Sequence, residues 1–546
     1  MGLLGKLFGK KEPELEAGPT STASSSDEQY WTSFQHMNQY ISQLDIPGAL
    51  KSCNDALAAS PGDIPALQTK VELLVANNQL DEALRLLDTD FRDESNALFR
   101  FTCLSWVSLQ RHRFEEAIEH AGTALEIDPR SVAALNNRGF ARYCLGYVDE
   151  AIKDLEKALG IDPSFDLARA NLVTTHMLAL NRDKALYEAE RLSRKGQNRA
   201  DGFLKLAYVH ASWHEPARAL EHVRTALGVA SRHKQALLEQ VYFCSALGLT
   251  RERGAALVEL KEADADLDAI DLAEAFVAYH SGNNTRAETL FRAYIEKHDP
   301  ETNCLKALAD IAAGRGRMEE ALALSDQYLK HSNQEWACIH LHTSLLSQAG
   351  RGEEACTLVD RFVERGPNNL VFLRARAIAA LCVDDIAKAR ELLQRIKSTD
   401  IARSEIYMLA YIVEFNAERF DEALTALSWS PDKNSGEQTL YRAAVHCRLQ
   451  DWETAKSRLE RAFDVGTSSV LGESGRGMAD QWQWLAGCHA YRAIMPGEDK
   501  PAELAEALKY YKLSIKAGDW HTRYAWYQPR LWPLREMPEF QELCKR

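Results

Sequence analysis

LNNRGFARYCLGYVDEAIKDLEKALGIDP, residues 135–163, decides how this chain folds. Two segments of helical apolar periodicity flank Gly146, and Pro163 closes the second. Gly139 in the first segment and Ala151 in the second are small residues at the places where two antiparallel helices would touch. Proline lacks an amide hydrogen and fixes its φ, so it ends the second helix. The stretch FTCLSWVSLQRHRFEEAIEHAGTALEIDP, residues 101–129, has the same layout one period earlier, with Ala117, Ala124 and Pro129 matching Ala151, Ala158 and Pro163.

The layout recurs along most of the chain. Alanines fall at positions 49, 83, 117, 151, 185 and 219, a constant interval of thirty-four. Arg253 takes the next slot. Ala287, Ala321, Ala355, Ala389 and Ala423 then resume in register. Twelve residues upstream runs a second, mostly small column: Met37, Val71, Ser105, Gly139, Val173, Ala207, Val241, Ala275, Ala309, Thr343, Ala377 and Tyr411. A third column, four residues after the alanine, is mostly apolar or small. Gly146, Gly282, Gly316, Gly350 and Asn78 mark the turn between the helices. A fixed period of this length is the signature of a repeat architecture. One helix pair cannot bury its own apolar face, so each must stack on its neighbours.

Residues 101–129 and 135–163 resemble tetratricopeptide repeats, with Gly139, Ala151, Ala158 and Pro163 at signature places. The resemblance covers about residues 30–517. It implies an all-α, right-handed α-solenoid of about 13–14 helix pairs. It also implies a protein or peptide partner, held on an inner surface made largely by the first helix of each pair (helix A).

The expected organisation is a disordered segment over 1–27, one part of the array over 28–265, a second over 266–465, and a divergent last repeat with an aromatic cap over 466–546. The register slips near the end: from Ala423 the step to Ala455 is two short of the period, and Ala507 lies far beyond the next slot. Loops are expected at GTSSVLGESGRG (466–477) and MPGEDKPAEL (495–504), with QWQWLAGCHAYRA (481–493) as helix A of the last repeat. The aromatic, proline-broken end is similar to tails that follow such arrays in many bacterial proteins. A cap is needed because the last repeat of a solenoid has no neighbour to cover it.

Composition narrows the function. The net charge is −14, with both signs mixed along the chain, which opposes a nucleic-acid-binding role. Eleven cysteines are scattered without a CxxC pair, which reads as reduced thiols in a cytoplasmic protein. No apolar run approaches the ~20 residues that span a bilayer. Residues 1–11 set Leu3, Leu4, Leu7 and Phe8 among Lys6, Lys10 and Lys11, a short basic amphipathic pattern suited to weak contact with an anionic membrane surface. A frayed start is the reading favoured, because so short a helix inserts few side chains. Residues 12–27 are rich in Glu, Ser and Pro and read as a disordered linker.

Catalytic and metal motifs are weak. GESGRG (472–477) lacks the GK[ST] ending of a phosphate loop, and no strand precedes it. Cys338, His340 and His342 offer too few ligands for a metal. No GxSxG elbow occurs. The sequence therefore reads as non-enzymatic, with no cofactor, no metal and no small-molecule substrate. The runner-up functions are a membrane-associated assembly factor anchored by residues 1–11 and a ligand-binding or enzymatic activity within 470–546.

The sharper expectation concerns helix A. The residue after the small column reads Trp106, Phe140, Thr174, Tyr208, Tyr242 and Phe276; three further on come Leu109, Tyr143, Met177, Ala211, Ser245 and Tyr279. The resemblance faces these positions inward. Trp106, Leu109, Phe140, Tyr143, Met177, Tyr208, Tyr242, Phe276 and Tyr279 are thus the candidate groove residues, an aromatic stripe for apolar peptide anchors. Packing on the next repeat as core is the competing reading, and the sequence does not separate the two. An asparagine ladder two residues before the small column is not expected, since only Asn137 and Asn171 comply. A carboxylate clamp of converging Lys, Asn and Arg is not found either.

Overall fold

The computed structural model describes residues 45–545 apart from 195–198, 214, 264–266, 298–301, 332–334, 368, 399–405, 431–435, 470–475 and 517–527, together with scattered positions between 29 and 40. The amphipathic start at 1–11 and the linker at 12–27 lie outside the described residues.

Helices follow one another throughout, and no strand occurs among the described residues. Each repeat is a helix A, a tight turn and a helix B: Val132–Cys144 with Val148–Ile161, Asp166–Leu178 with Arg182–Arg194, Leu370–Cys382 with Ile386–Lys397. The chain is an all-α solenoid. It divides into two compact units, Met1–Ser231 and Arg232–Arg546.

Both small columns explain the pairing. The alanines at 49, 83, 117, 151, 185 and 219, and again at 287, 321, 355, 389 and 423, are all fully buried. Gly139 shows how close the helices come: a Cβ there would lie 2.9 Å from Leu155 Cγ. Gly202, near the start of helix Arg199–Ser212, would put a Cβ 2.4 Å from the Ser193 amide nitrogen.

The turns keep the same period. Asn78, His112, Gly146, Leu180, Gly248, Gly282, Gly316, Gly350, Asp384 and Glu418 all have φ between 55° and 84° and sit in the register of the repeat. Glycine adopts that left-handed backbone freely, whereas an L side chain pays steric strain there. The connection back to the next helix A is fixed by side chains. Asp128 Oδ1 accepts from the Arg130 amide at 2.9 Å, Asp162 Oδ1 from Ser164 at 2.9 Å, and Asn369 caps its helix through the amides of Val371 and Phe372.

Ion pairs then tie helix A to helix B. In the first unit Asp154 is buried and takes Arg138 and Arg142 at 2.7 and 2.5 Å, and buried Arg169 pairs with Glu188. In the second, buried Glu414 takes Arg390 and Lys397 at 3.0 and 2.9 Å. Removing one partner of such a pair strands a desolvated charge, so these pairs specify register more than they add stability.

The C-terminal region departs from the loops expected of it. Helix Trp452–Ser469 runs through Gly466, and Arg476–Arg492 starts inside the glycine-rich stretch, so of 466–477 only 470–475 fall outside described helix. A single helical glycine costs only ~1 kcal/mol, which packing on the next helix overrides. Likewise MPGEDKPAEL is helical from Lys500: Pro501 suits a first helical turn, and Asp499 Oδ1 accepts from the Ala502 amide at 3.3 Å.

The cap is the segment Pro529–Glu536 with helix Pro538–Lys545. It covers Ala486, Ala490, Leu508 and Tyr511 with Leu531, Leu534 and Phe540, all buried in one cluster. Gly487 admits it, since a Cβ there would lie 2.9 Å from the Arg530 carbonyl oxygen. The Tyr491 hydroxyl donates to the Pro529 carbonyl, Arg535 donates to Asn416 Oδ1 at 2.7 Å, and the Arg448 guanidinium stacks 3.8 Å over the Trp532 ring.

Candidate binding face

In the first unit, helices Ala97–Gln110, Val132–Cys144 and Asp166–Leu178 are the A helices of successive repeats. A chain of amide hydrogen bonds links them. Asn137 Nδ2 donates to Ser105 Oγ at 2.8 Å and to the Thr102 carbonyl at 3.4 Å. Asn136 Nδ2 reaches Asn137 Oδ1 at 3.4 Å, and Asn171 Nδ2 donates to Asn136 Oδ1 at 2.9 Å. Thr102, Ser105, Asn136 and Asn137 are buried. Buried amides with satisfied partners rigidify the backbone that carries them. Trp106, Phe140 and Thr174 each lie one helical turn beyond a residue of this network or beside one, so the network holds that row in place.

The row is neither wholly core nor wholly free. Trp106 is half-buried and packs against the cluster of Val71, Leu74, Leu87 and Cys103. Phe140 is half-buried and lies 6.0 Å from the Tyr143 ring at a tilt. Tyr143 itself is 2% exposed and Leu109 7%, so these two serve packing and offer almost no surface. Met177 packs beside Val173 and Leu206, and Tyr208 is half-buried.

In the second unit the same column falls on helices Lys234–Ala246 and Leu267–His280. Tyr242 is the most exposed member, at 38%, and its ring meets Phe276 edge-on at 6.4 Å. Burial, and then Glu239, raises its phenol pKa above the usual value, so it stays a neutral donor. Phe276 and Tyr279 are half-buried against Phe291, at 5.0 and 6.3 Å between rings. The Tyr279 hydroxyl donates to Asp310 Oδ2 at 3.0 Å. Asp310 occupies the row's next place, so the aromatic run ends in a carboxylate.

Two polar features lie on the same helices. Lys205 stands one period beyond Asn171 in the column that holds Asn137 and Asn171, and its side chain has no hydrogen bond or ion pair among the described residues. Burial lowers its pKa, partly countered by Asp201. His176 is buried with Nδ1 unpartnered, and burial, with Lys184, pulls its pKa down to about 4. Asn136 leaves no mark in that column, because it sits one residue before it and bridges between its members. Of the candidate metal trio, Cys338 and His340 lie outside the described side chains; His342 Nδ1 faces Ser325 Oγ at 2.7 Å. No group of three metal-ligating side chains occurs among the described residues, and none of their helices is long and apolar enough to cross a membrane.

Comparison with known proteins agrees with the repeat. Family models of the tetratricopeptide repeat match residues 40–98, 132–165 and 272–335. No curated protein matches the chain in sequence. Among solved structures it is similar to a tetratricopeptide repeat protein from Parabacteroides merdae, at 14% identity over 52% of this chain and 98% of that one, TM-score 0.32. It is also similar to a chain of the APC/C hetero-tetramer Cut9–Hcn1, at 13% identity over 92% and 97%, TM-score 0.49. A third is Pseudomonas aeruginosa pilF, at 18% identity over 38% and 94%, TM-score 0.31.

Proposed function

We propose that this chain, which belongs to the tetratricopeptide repeat family, is a protein-interaction scaffold that captures a peptide segment of its partner against the aromatic row of its A helices. The observation that carries the reading is the half-buried state of Trp106 and Phe140 on helices of the first unit whose register, over residues 97–178, is held by buried amides; Tyr208 in that unit is also half-buried, and Tyr242 is exposed on its own helix in the second. Rigid aromatic side chains give large contact area at low entropic cost, and half of each ring is already anchored. Tyr208 and Tyr242 add hydroxyls that hydrogen-bond a peptide backbone. Lys205 offers a positive charge beside the row, which favours a partner segment with an acidic residue among its apolar anchors.

The chemistry is recognition and not turnover on this reading. The ten described cysteines are all free and buried, and Cys53, Cys447 and Cys488 have thiols pushed up to about 12 by burial. Such thiols are inert, and their free state suits the reducing cytoplasm in which we place the protein.

The test is site-specific photocrosslinking. A photoreactive phenylalanine at position 208 or 242, compared with one at the exposed Tyr187 on helix Arg182–Arg194, should join the partner from the first two sites and not from the third. Replacing Tyr208 and Tyr242 by Ala should weaken capture while leaving the thermal unfolding profile in place. Equal crosslinking from all three sites, or capture indifferent to the double substitution, would remove the aromatic row as the binding face.

A further inference from the structure

The one break in the alanine column lies beside a cleft. Arg253, on helix Thr250–Glu262, stands where neighbouring repeats have a fully buried alanine. The next repeat along gives a direct comparison. Ala287, Phe291, Leu308, Ile311 and Ala312 are buried together in one apolar cluster. Their counterparts one period earlier are Arg253, Leu257, Glu274, Val277 and Ala278, and these line a cleft of about 320 Å³ together with Arg286. An arginine for alanine and a glutamate for leucine have turned a dry seam into a charged recess.

The two charges introduced do not neutralise each other. Glu274 is engaged by Lys261 at 3.7 Å and by Arg286 at 3.4 Å, both long contacts. The Arg253 side chain has no hydrogen bond or ion pair among the described residues. Two cations therefore share one carboxylate, and the half-buried Arg253 lines the same recess with its guanidinium unpartnered among the described residues. A guanidinium fork matches an oxyanion with two parallel hydrogen bonds, and binds more strongly when partly desolvated.

We infer that this cleft is a binding site for a peptide-borne carboxylate, a feature separate from the aromatic row. The recess holds one side chain or one terminal residue and no more. Leu257, Val277 and Ala278 give it apolar walls for the methylenes that carry the acid group. Glu274 favours a monoanion over a phosphate dianion, whose second charge it would repel.

The test uses the full chain and small probes, with affinity read by saturation-transfer NMR. N-acetyl-leucine presents a terminal carboxylate, N-acetyl-glutamate amide a side-chain carboxylate, and N-acetyl-leucine amide none; inorganic phosphate is the fourth probe. Either or both carboxylates should bind saturably, and their ranking tells a chain terminus from an acidic side chain. Arg253→Ala and Arg286→Ala should each weaken binding by about tenfold or more, the effect of losing a charge-assisted hydrogen bond. Arg253→Ala restores the column's own residue, so its melting temperature should hold or rise. Equal binding of the amide, tighter binding of phosphate, affinity unchanged in a folded Arg253→Ala protein, or no saturable binding by any probe would each overturn the assignment.

Discussion

Asn171 donates to the side-chain oxygen of Asn136 at 2.9 Å, a bond between adjacent repeats. It joins their A helices, and through Asn137 the same network reaches Ser105 one repeat earlier. Stability in a solenoid is a sum of repeat terms and nearest-neighbour terms, so bonds of this kind set how far order propagates.

Asn136→Ala should therefore cost about 1–3 kcal/mol, because it leaves the Asn171 amide with a lost acceptor and opens buried polar groups. Asn137→Ala should cost a similar amount, again about 1–3 kcal/mol, and the double variant less than the sum. Urea unfolding of the four proteins measures the coupling. Strict additivity would mean that the network is not one unit.

Helix spacing makes its own prediction. Ala151 is fully buried and Gly139 faces Leu155, so the pair has no room for added methylenes. Ala151→Leu should cost about 1–3 kcal/mol through overpacking. Unchanged thermal stability would contradict the facing of the alanine column.

Much of this geometry is legible in the sequence, and the reason is physical. The repeating columns mark positions where backbones touch or turn left-handed, and those demands admit few residue types, so they leave a trace at every repeat. Ala151, Gly139 and Gly146 are such positions. What the sequence hides depends on side-chain reach. Asn136 matters because two helices twist past each other and bring it to Asn171, and no column marks that. Whether Tyr143 or Tyr242 is surface depends on the neighbouring repeat: one is 2% exposed and the other 38%, although both are tyrosines on A helices. Glycine and proline suggest loops where 466–469, 476–477 and 500–504 are helical, because tertiary packing outweighs propensity there, whereas 495–499 form the expected turn.

Leu180 has φ of 55°, in the turn column that other repeats fill with glycine or a polar residue. Its side chain is only partly buried. Leu180→Gly relieves left-handed strain of about 1–2 kcal/mol and loses some of it to the greater freedom of the unfolded chain, so a net gain of about 0.5–1 kcal/mol is expected. Chemical denaturation checks it, and a lower midpoint would show that the Leu180 side chain packs to advantage.

Acid should weaken the first unit in two separable steps. His176 is buried and held neutral, with its pKa drawn from 6.5 down to about 4 by burial first and Lys184 second. Between those values the unfolded chain binds a proton that the folded one refuses, so stability falls as pH drops from 6.5 towards 4. Glu215 acts lower. Its carboxylate, hydrogen-bonded by Arg182 and His210, has a pKa lowered from 4.5 to about 2, so its contribution is intact above 4.5 and lost towards 2. His176→Gln should flatten the melting-temperature profile between pH 6.5 and 4 and leave the decline below 4.5 in place. The wild-type loss in the upper window is on the order of 2–3 kcal/mol, at about 1.4 kcal/mol per pKa unit. A profile unchanged by the substitution would show that the imidazole gains a proton partner on acidification in place of resisting it.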